Sequence, residues 1–388
     1  MKGLIESNTN RSQNLLHDDS AVHVRAKRII SMEGLEIILS DGTRQYVSFH
    51  KNPYKRVPKD TRTLLKSNWL TQFVPVVYTV VMTLSLPLNI LIAYVFWFKI
   101  GVKKPAVVYM LNLTIADLLF SCIMPFNIVY RFSGNNWLAP KIMCNFVIAA
   151  FYCNMYCSVL FITGISMDKF LAIVYPIQSL SWRSLNRAWV ACVFVWIISV
   201  SSTIPLLITE QTYYVDGLDL NSCHDVQDSN TVRIFYSTYF TVFSAIFFFI
   251  PFLVTALCYA WTIKTLSSSS MGNTDQKKQA VILAAIVLSE FLICFVPTNL
   301  IFFTHNMEFL IGTPTSSLQL YLAYLVSCSV CSISATINPL LYYVASPRCQ
   351  EILNGMLCCK RKVSEQKVEE KVEEKVEEKV EEKVEEKP

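Results

Sequence analysis

One carboxylate stands in the middle of an apolar run: Asp117, within about 106–131. A charge there is tolerated only against a wet or paired interior, so it marks function by default. Ser158, Ser334 and Asn338 fall in later apolar runs and offer hydroxyl and amide oxygens. With Asp117 they form a hard-oxygen set of the kind that suits Na⁺. The bland alternative is a polar cluster that only holds helices together. A second feature is the segment from Cys144 to Tyr175, which opens with a cysteine and closes with Asp168-Lys169-Phe170. The 23 mostly apolar residues between them, Asn145 to Met167, set the ends roughly 36 Å apart as a helix. That is slightly more than the roughly 30 Å of a bilayer's hydrocarbon core. The cysteine can thus meet an oxidising exterior while the charged triplet faces the cytoplasm. No set of residues forms a catalytic constellation, so an enzyme is not expected, and nothing points to a nucleic-acid partner.

The elements that position these residues follow from composition. The chain has 388 residues, 53% hydrophobic and only 16% charged, where a soluble protein carries about a quarter charged. The apolar content falls into seven runs, about 70–98, 106–131, 143–174, 187–208, 233–262, 280–304 and 317–345, each long enough to span a bilayer. The expected fold is an all-α membrane protein: a seven-helix transmembrane bundle with a short C-terminal surface helix. Three of the short loops hold Lys99, Lys103, Lys104, Lys169, Arg183, Arg187, Lys264, Lys277 and Lys278, against Arg131, Lys141 and Arg233 in the others. Nine against three puts the first set in the cytoplasm, the N-terminus outside and the C-terminus inside. Met1–Ser20 lack an apolar core. The first span then acts as its own insertion signal, or the sequence begins inside a longer gene product.

Residues 1–68 form an outer tail with one glycosylation signal at Asn10. A basic cluster, Arg25-Ala26-Lys27-Arg28, precedes Ile29-Ile30-Ser31-Met32 and fits a trypsin-like processing site as well as a solvated charge run. Residues 69–346 hold the bundle, 347–359 a membrane-surface helix and 360–388 a cytoplasmic tail built on a Lys-Val-Glu-Glu repeat. That repeat supports i,i+3 and i,i+4 pairs but leaves too thin an apolar line for a coiled coil. Of thirteen cysteines, Cys144 and Cys223 both fall outside and are expected to pair, pinning the second outer loop to the third span. Cys358 and Cys359, beside Lys360-Arg361-Lys362, are expected to be palmitoylated. Past Cys359 the only hydroxyl is Ser364, so arrestin recruitment through the tail is expected to be weak, with Ser267–Ser270 as substitute sites.

Prolines 87, 125, 205, 251, 297 and 339 fall inside spans. Each frees a carbonyl and bends its helix, and Pro297 and Pro339 are the expected pivots of a switching bundle. Tyr152, Tyr156, Glu210, Asp225, His305, Tyr321 and Tyr324 crowd the outer half and predict a ligand cavity at the bundle's mouth. The acidic second outer loop (Glu210, Asp216, Asp219, Asp225, Asp228) favours a cationic ligand, and a free peptide N-terminus qualifies.

Asn89, the Leu113–Asp117 pattern, Cys144, Asp168-Lys169-Phe170, Trp196, Pro251 with Tyr259, Phe291 to Pro297 and Asn338-Pro339-Leu340-Leu341-Tyr342 occur in order across about 70–360. This array resembles the rhodopsin-like G-protein-coupled receptors. Val102–Leu111, Ala150–Tyr156, Gln178–Arg183 and Cys223-His224-Asp225-Val226 resemble the thrombin-receptor branch of the protease-activated receptors. The resemblance implies a plasma-membrane receptor, partnered by an extracellular serine protease, the lipid bilayer and a heterotrimeric G protein. Cleavage of the outer tail would expose a tethered ligand, with Arg28 the first candidate site and Arg44 the second. It also implies that Tyr152, Tyr156, Glu210, His224, Asp225, His305, Tyr321 and Tyr324 line the ligand site. Phe291 and Phe295 would form the packing switch, and Asp168, Lys169, Tyr259 and Tyr342 would rearrange to admit the G protein. Lys169 stands where the family carries Arg, and Asn338 where the branch commonly carries Asp. The alternative is a related receptor for a diffusible lipid, nucleotide or peptide. No cofactor is expected beyond the structural Na⁺.

Overall fold

The computed structural model describes residues 29–31, 34–38, 44–48, 63–215, 218–225, 230–268, 274–311 and 317–356. Two units divide at Tyr54. In the first, strands β1 (Ile29–Ser31), β2 (Gly34–Ile38) and β3 (Arg44–Ser48) form an antiparallel sheet in the order β1-β2-β3. Leu35 pairs with both Ile30 and Val47. The polar outer tail therefore holds strands, which its composition did not announce.

The second unit is a helical bundle. Its spans are α1 (Thr63–Ile100), α2 (Pro105–Phe132), α3 (Lys141–Val174), α4 (Leu185–Ser201), α5 (Asn230–Ser268), α6 (Thr274–Ile311) and α7 (Ser317–Ala345, with a break at Ser332–Ile333). A surface helix, α8, covers 347–356. Six of these helices are long and apolar enough to cross a membrane, and α4, at 17 residues, is shorter. The expected fourth span, 187–208, is instead interrupted. Ser202 and Thr203 turn their hydroxyls onto the Ser199 and Val200 carbonyls, a local bond that competes with the helix ladder. Pro205, which cannot donate, then opens a separate short helix, Ile204–Ile208. The first span starts earlier than expected, at Thr63.

Prolines shape the rest. In α5 and α6 the turns just before Pro251 and Pro297, Ala245–Phe249 and Phe291–Phe295, widen to i→i+5 bonding. A proline ring clashes with the carbonyl four residues back; those carbonyls belong to Phe247 and Ile293, inside the widened turns. In α7, Pro339 releases the Ala335 carbonyl, and the buried Asn89 of α1 donates its Nδ2 to it at 2.8 Å. Without that donor the released carbonyl would sit unpaired in an apolar core. α2 and α3 bury two thirds of their apolar windows, whereas α1 leaves most of its own outward. Exposed Trp97, Phe98 and Leu257 suit a hydrocarbon surround. Asn112 and Trp196 join α2 to α4 by a 3.0 Å bond from the indole N–H.

Candidate functional site

At the outer end the second loop folds as a hairpin, β4 (Thr212–Val215) with β5 (Leu220–Cys223), register Thr212↔Cys223. Cys223 is disulfide-bonded to Cys144 at the start of α3, 79 residues away in sequence. The expected pairing is thus present, and it holds the next residues, His224 and Asp225, over the bundle.

Beneath lies a cleft of about 470 Å³ including its open mouth, lined by Tyr130, Arg131, Tyr152, His224, Asp225 and Tyr324 among others. Asp225 is its electrostatic centre. Its carboxylate accepts from Arg131 through both guanidinium nitrogens at 2.8 and 3.1 Å, from Tyr130 Oη at 2.6 Å and from Tyr321 Oη at 3.2 Å. Arg131 also donates to Asn135 Oδ1, and Asn135 Nδ2 donates to the Leu65 carbonyl. Deeper in, the hydroxyls of Tyr152 and Tyr324 lie 2.6 Å apart, and their rings stack on Phe240 and Phe302. His224 adopts a left-handed backbone, φ 68°, and its Nδ1 lies 2.8 Å from Gln211 Oε1. Burial pulls its imidazole down to about 4, outweighing Asp225, which favours the cation.

Of the eight expected ligand contacts, Tyr152, His224, Asp225 and Tyr324 line this cleft. Tyr321 reaches it through Asp225, and His305 packs on Tyr321 at 5.8 Å. Tyr156 lies fully buried one turn below Tyr152, against Phe243. Glu210 is exposed and bonded to Lys141 at 2.6 Å. The acidic-loop expectation changes here: among the described residues, the loop carboxylate that lines the cleft is Asp225, and Arg131 already neutralises it. In the sequence Arg131 stands out only as one of three outer-loop cations, and Tyr130 not at all. Their adjacency at the outer end of α2 was legible, but their convergence on Asp225 needed the hairpin.

In mid-bundle Asp117 is fully buried. It accepts from Asn154 Nδ2 at 3.2 Å and from Asn338 Nδ2 at 2.8 Å. The expected Ser158 and Ser334 partners do not bond it; Asn154, unforeseen, does. Ser158 Oγ and Asn338 Oδ1 are buried without a partner.

At the inner end Asp168 and Lys169, adjacent in sequence, take different partners. Asp168 is held by a two-pronged bond from Arg183, at 2.7 and 2.8 Å. That bond pushes the Arg183 guanidinium above its usual value. Lys169 instead donates to the Ala345 carbonyl at 2.7 Å, and Gln279 of α6 donates to the Val344 carbonyl at 2.6 Å. The last carbonyls of a helix lack partners of their own and attract cations and donors. Phe291 and Phe295 pack at 5.5 Å, with Phe248 and Phe252 against Phe291. Tyr259 and Tyr342 are buried. Arg44 begins β3, opposite Ile38. Asn10, Arg28, Asp216, Asp228, Ser364, Cys358 and Cys359 lie outside the described residues.

Residues 88–342 match the family model described as 7 transmembrane receptor (rhodopsin family). The chain belongs to the rhodopsin family of seven-transmembrane receptors. It is 51% identical over 316 residues to proteinase-activated receptor 1 of Xenopus laevis, covering 81% of this chain and 74% of that one. It is 49% identical over 304 residues to the Homo sapiens protein of that name, with 78% and 71% covered. A purinoceptor of Gallus gallus is 36% identical over 291 residues, with 74% and 80% covered. At such identity and coverage the chain is a multi-pass plasma-membrane receptor of the proteinase-activated group, not an enzyme.

Proposed function

We infer that this receptor is switched on by a serine protease that cuts its outer tail, and that it signals through a heterotrimeric G protein. The new N-terminus, carrying an ammonium group, docks in the outer cleft. The observation that carries this reading is the buried Asp225–Arg131 pair under the hairpin, with Tyr130 and Tyr321 on the same carboxylate. An arriving ammonium competes for Asp225 and loosens contacts that join α2, α7 and the loop. Such a ligand favours one packing of the bundle by its differential contacts. α6 then pivots at Pro297, beside the widened Phe291–Phe295 turn, and α7 at Pro339; Lys169, Tyr259 and Tyr342 rearrange at the inner end.

Calcium flux after thrombin or trypsin, on wild type and on Arg28→Ala, Arg44→Ala and the double variant, tests the reading. Loss of the response in one variant, with the matching new N-terminus found by sequencing, supports it. Unchanged signalling in the double variant overturns it and leaves the diffusible-ligand alternative.

Four subordinate proposals accompany it. A cation at Asp117 would take Asp117, Ser158 and Asn338 as oxygen ligands, and the two unpartnered acceptors there support the fit; Ser334 is buried nearby in α7. Cys358 and Cys359, just past α8, carry acyl chains. Asn10 carries a glycan. Arrestin binds weakly, for want of tail hydroxyls.

A further inference from the structure

Glu290 has no part in the proposed switch. It precedes Phe291 directly in α6, is fully buried, and neither of its carboxylate oxygens has a hydrogen-bond donor. It interacts electrostatically with Asp117 across the bundle, and also with Tyr342 of α7. Asp117 is differently placed, because two side-chain amides already donate to it. Ser158 follows Asn154 by four residues on α3, so both project from the same helix face. Asn154 reaches Asp117, so the unpartnered Ser158 Oγ lies one helical turn from that contact, and the unpartnered Asn338 Oδ1 belongs to the amide that donates to Asp117.

Four buried hard-oxygen groups thus sit on α2, α3, α6 and α7 at bilayer depth, and the two that are carboxylates, Asp117 and Glu290, interact. An unpaired carboxylate there is expensive, and a second of like charge raises the expense. Protonating Glu290 would remove a charge but create an O–H that itself needs an acceptor. A cation drawn between the two carboxylates would offer all four groups a partner. A monovalent ion leaves one negative charge unbalanced, whereas a divalent one leaves none. Calcium and magnesium both take oxygen ligands and complete their shells with water.

We propose that Glu290 makes the surroundings of Asp117 a two-carboxylate site for a divalent hard cation, calcium or magnesium, rather than for sodium. This rests on the reading of Asp117 as a cation ligand. The ion ties α6, at the residue beside Phe291, to α2, α3 and α7, and so holds the inward packing of α6.

The test is thermal unfolding of the detergent-purified receptor in CaCl₂, MgCl₂, NaCl or choline chloride at constant ionic strength. Wild type should be stabilised saturably by a divalent ion at concentrations at least tenfold below those needed of sodium. Glu290→Gln should lose that preference and respond to sodium. Asp117→Asn should respond to neither; if it fails to fold, Ser158→Ala should weaken divalent binding severalfold. Wild type responding to sodium alone, or Glu290→Gln keeping the divalent response, overturns the role of Glu290 and leaves the simpler cation site standing. No cation response in any variant removes both.

Discussion

Removing the charge of Asp225 is the sharpest probe of the outer site. The side chains of Arg131 and Asp225 are 10% and 1% exposed, so water cannot replace either partner. Asp225→Asn leaves the Arg131 guanidinium with Asn135 as its other side-chain acceptor and takes a charged acceptor from Tyr130 and Tyr321. Breaking such a buried pair from one side costs about 3–5 kcal/mol, a large part of a folding free energy of about 5–15 kcal/mol. Arg131→Met should cost as much. Replacing both charges together, as Arg131→Met with Asp225→Leu, should cost less than either single change, because no orphaned charge remains. The coupling in this cycle is then about 3 kcal/mol or more. Thermal unfolding of the solubilised receptor, with surface expression alongside, measures it. Single variants within about 0.5 kcal/mol of wild type, a difference typical of an inconsequential surface change, would refute the argument. So would additive losses in the double variant. The double variant should also lose its response to a cleaved or added N-terminal peptide while still reaching the surface.

Cys223→Ser should release the hairpin and with it His224 and Asp225. Closing a loop of 79 residues restricts the unfolded chain by about 4.5 kcal/mol on the chain-entropy account, so surface expression should fall steeply, as flow cytometry would show. Gln279→Ala removes the bond from α6 to the Val344 carbonyl. A net loss of about 1 kcal/mol should raise ligand-independent nucleotide exchange on the G protein about fivefold; unchanged basal exchange would count against that restraint. His224, held down at about 4, takes up its proton more readily unfolded than folded. Its contribution to stability is therefore complete above about pH 6.5 and falls as pH drops toward 4, below which it is constant. Unfolding scans across that window should show the slope, and His224→Gln should flatten it.

The sequence by itself determined the topology and its landmarks. Runs of bilayer length, the asymmetry of Lys and Arg, and Cys144 and Asp168 at opposite ends of one rod are local or periodic facts that survive any packing. The interruption of α4 was also written locally, in Ser202, Thr203 and Pro205, but hydropathy averaging passes over a two-residue break. What tertiary structure alone decided is which polar groups meet. Asp168 chose Arg183 over its neighbour Lys169, Asp117 chose Asn154 over Ser158, and Asp225 was claimed by Arg131. In each case residues far apart in sequence are brought together by helix rotation and by the pinned hairpin. An apolar interior enforces such choices, because a polar group that misses its partner there has no water to turn to. Asn89 under the carbonyl freed by Pro339 shows the rule satisfied, and Glu290 is where it asks for a partner still to be supplied.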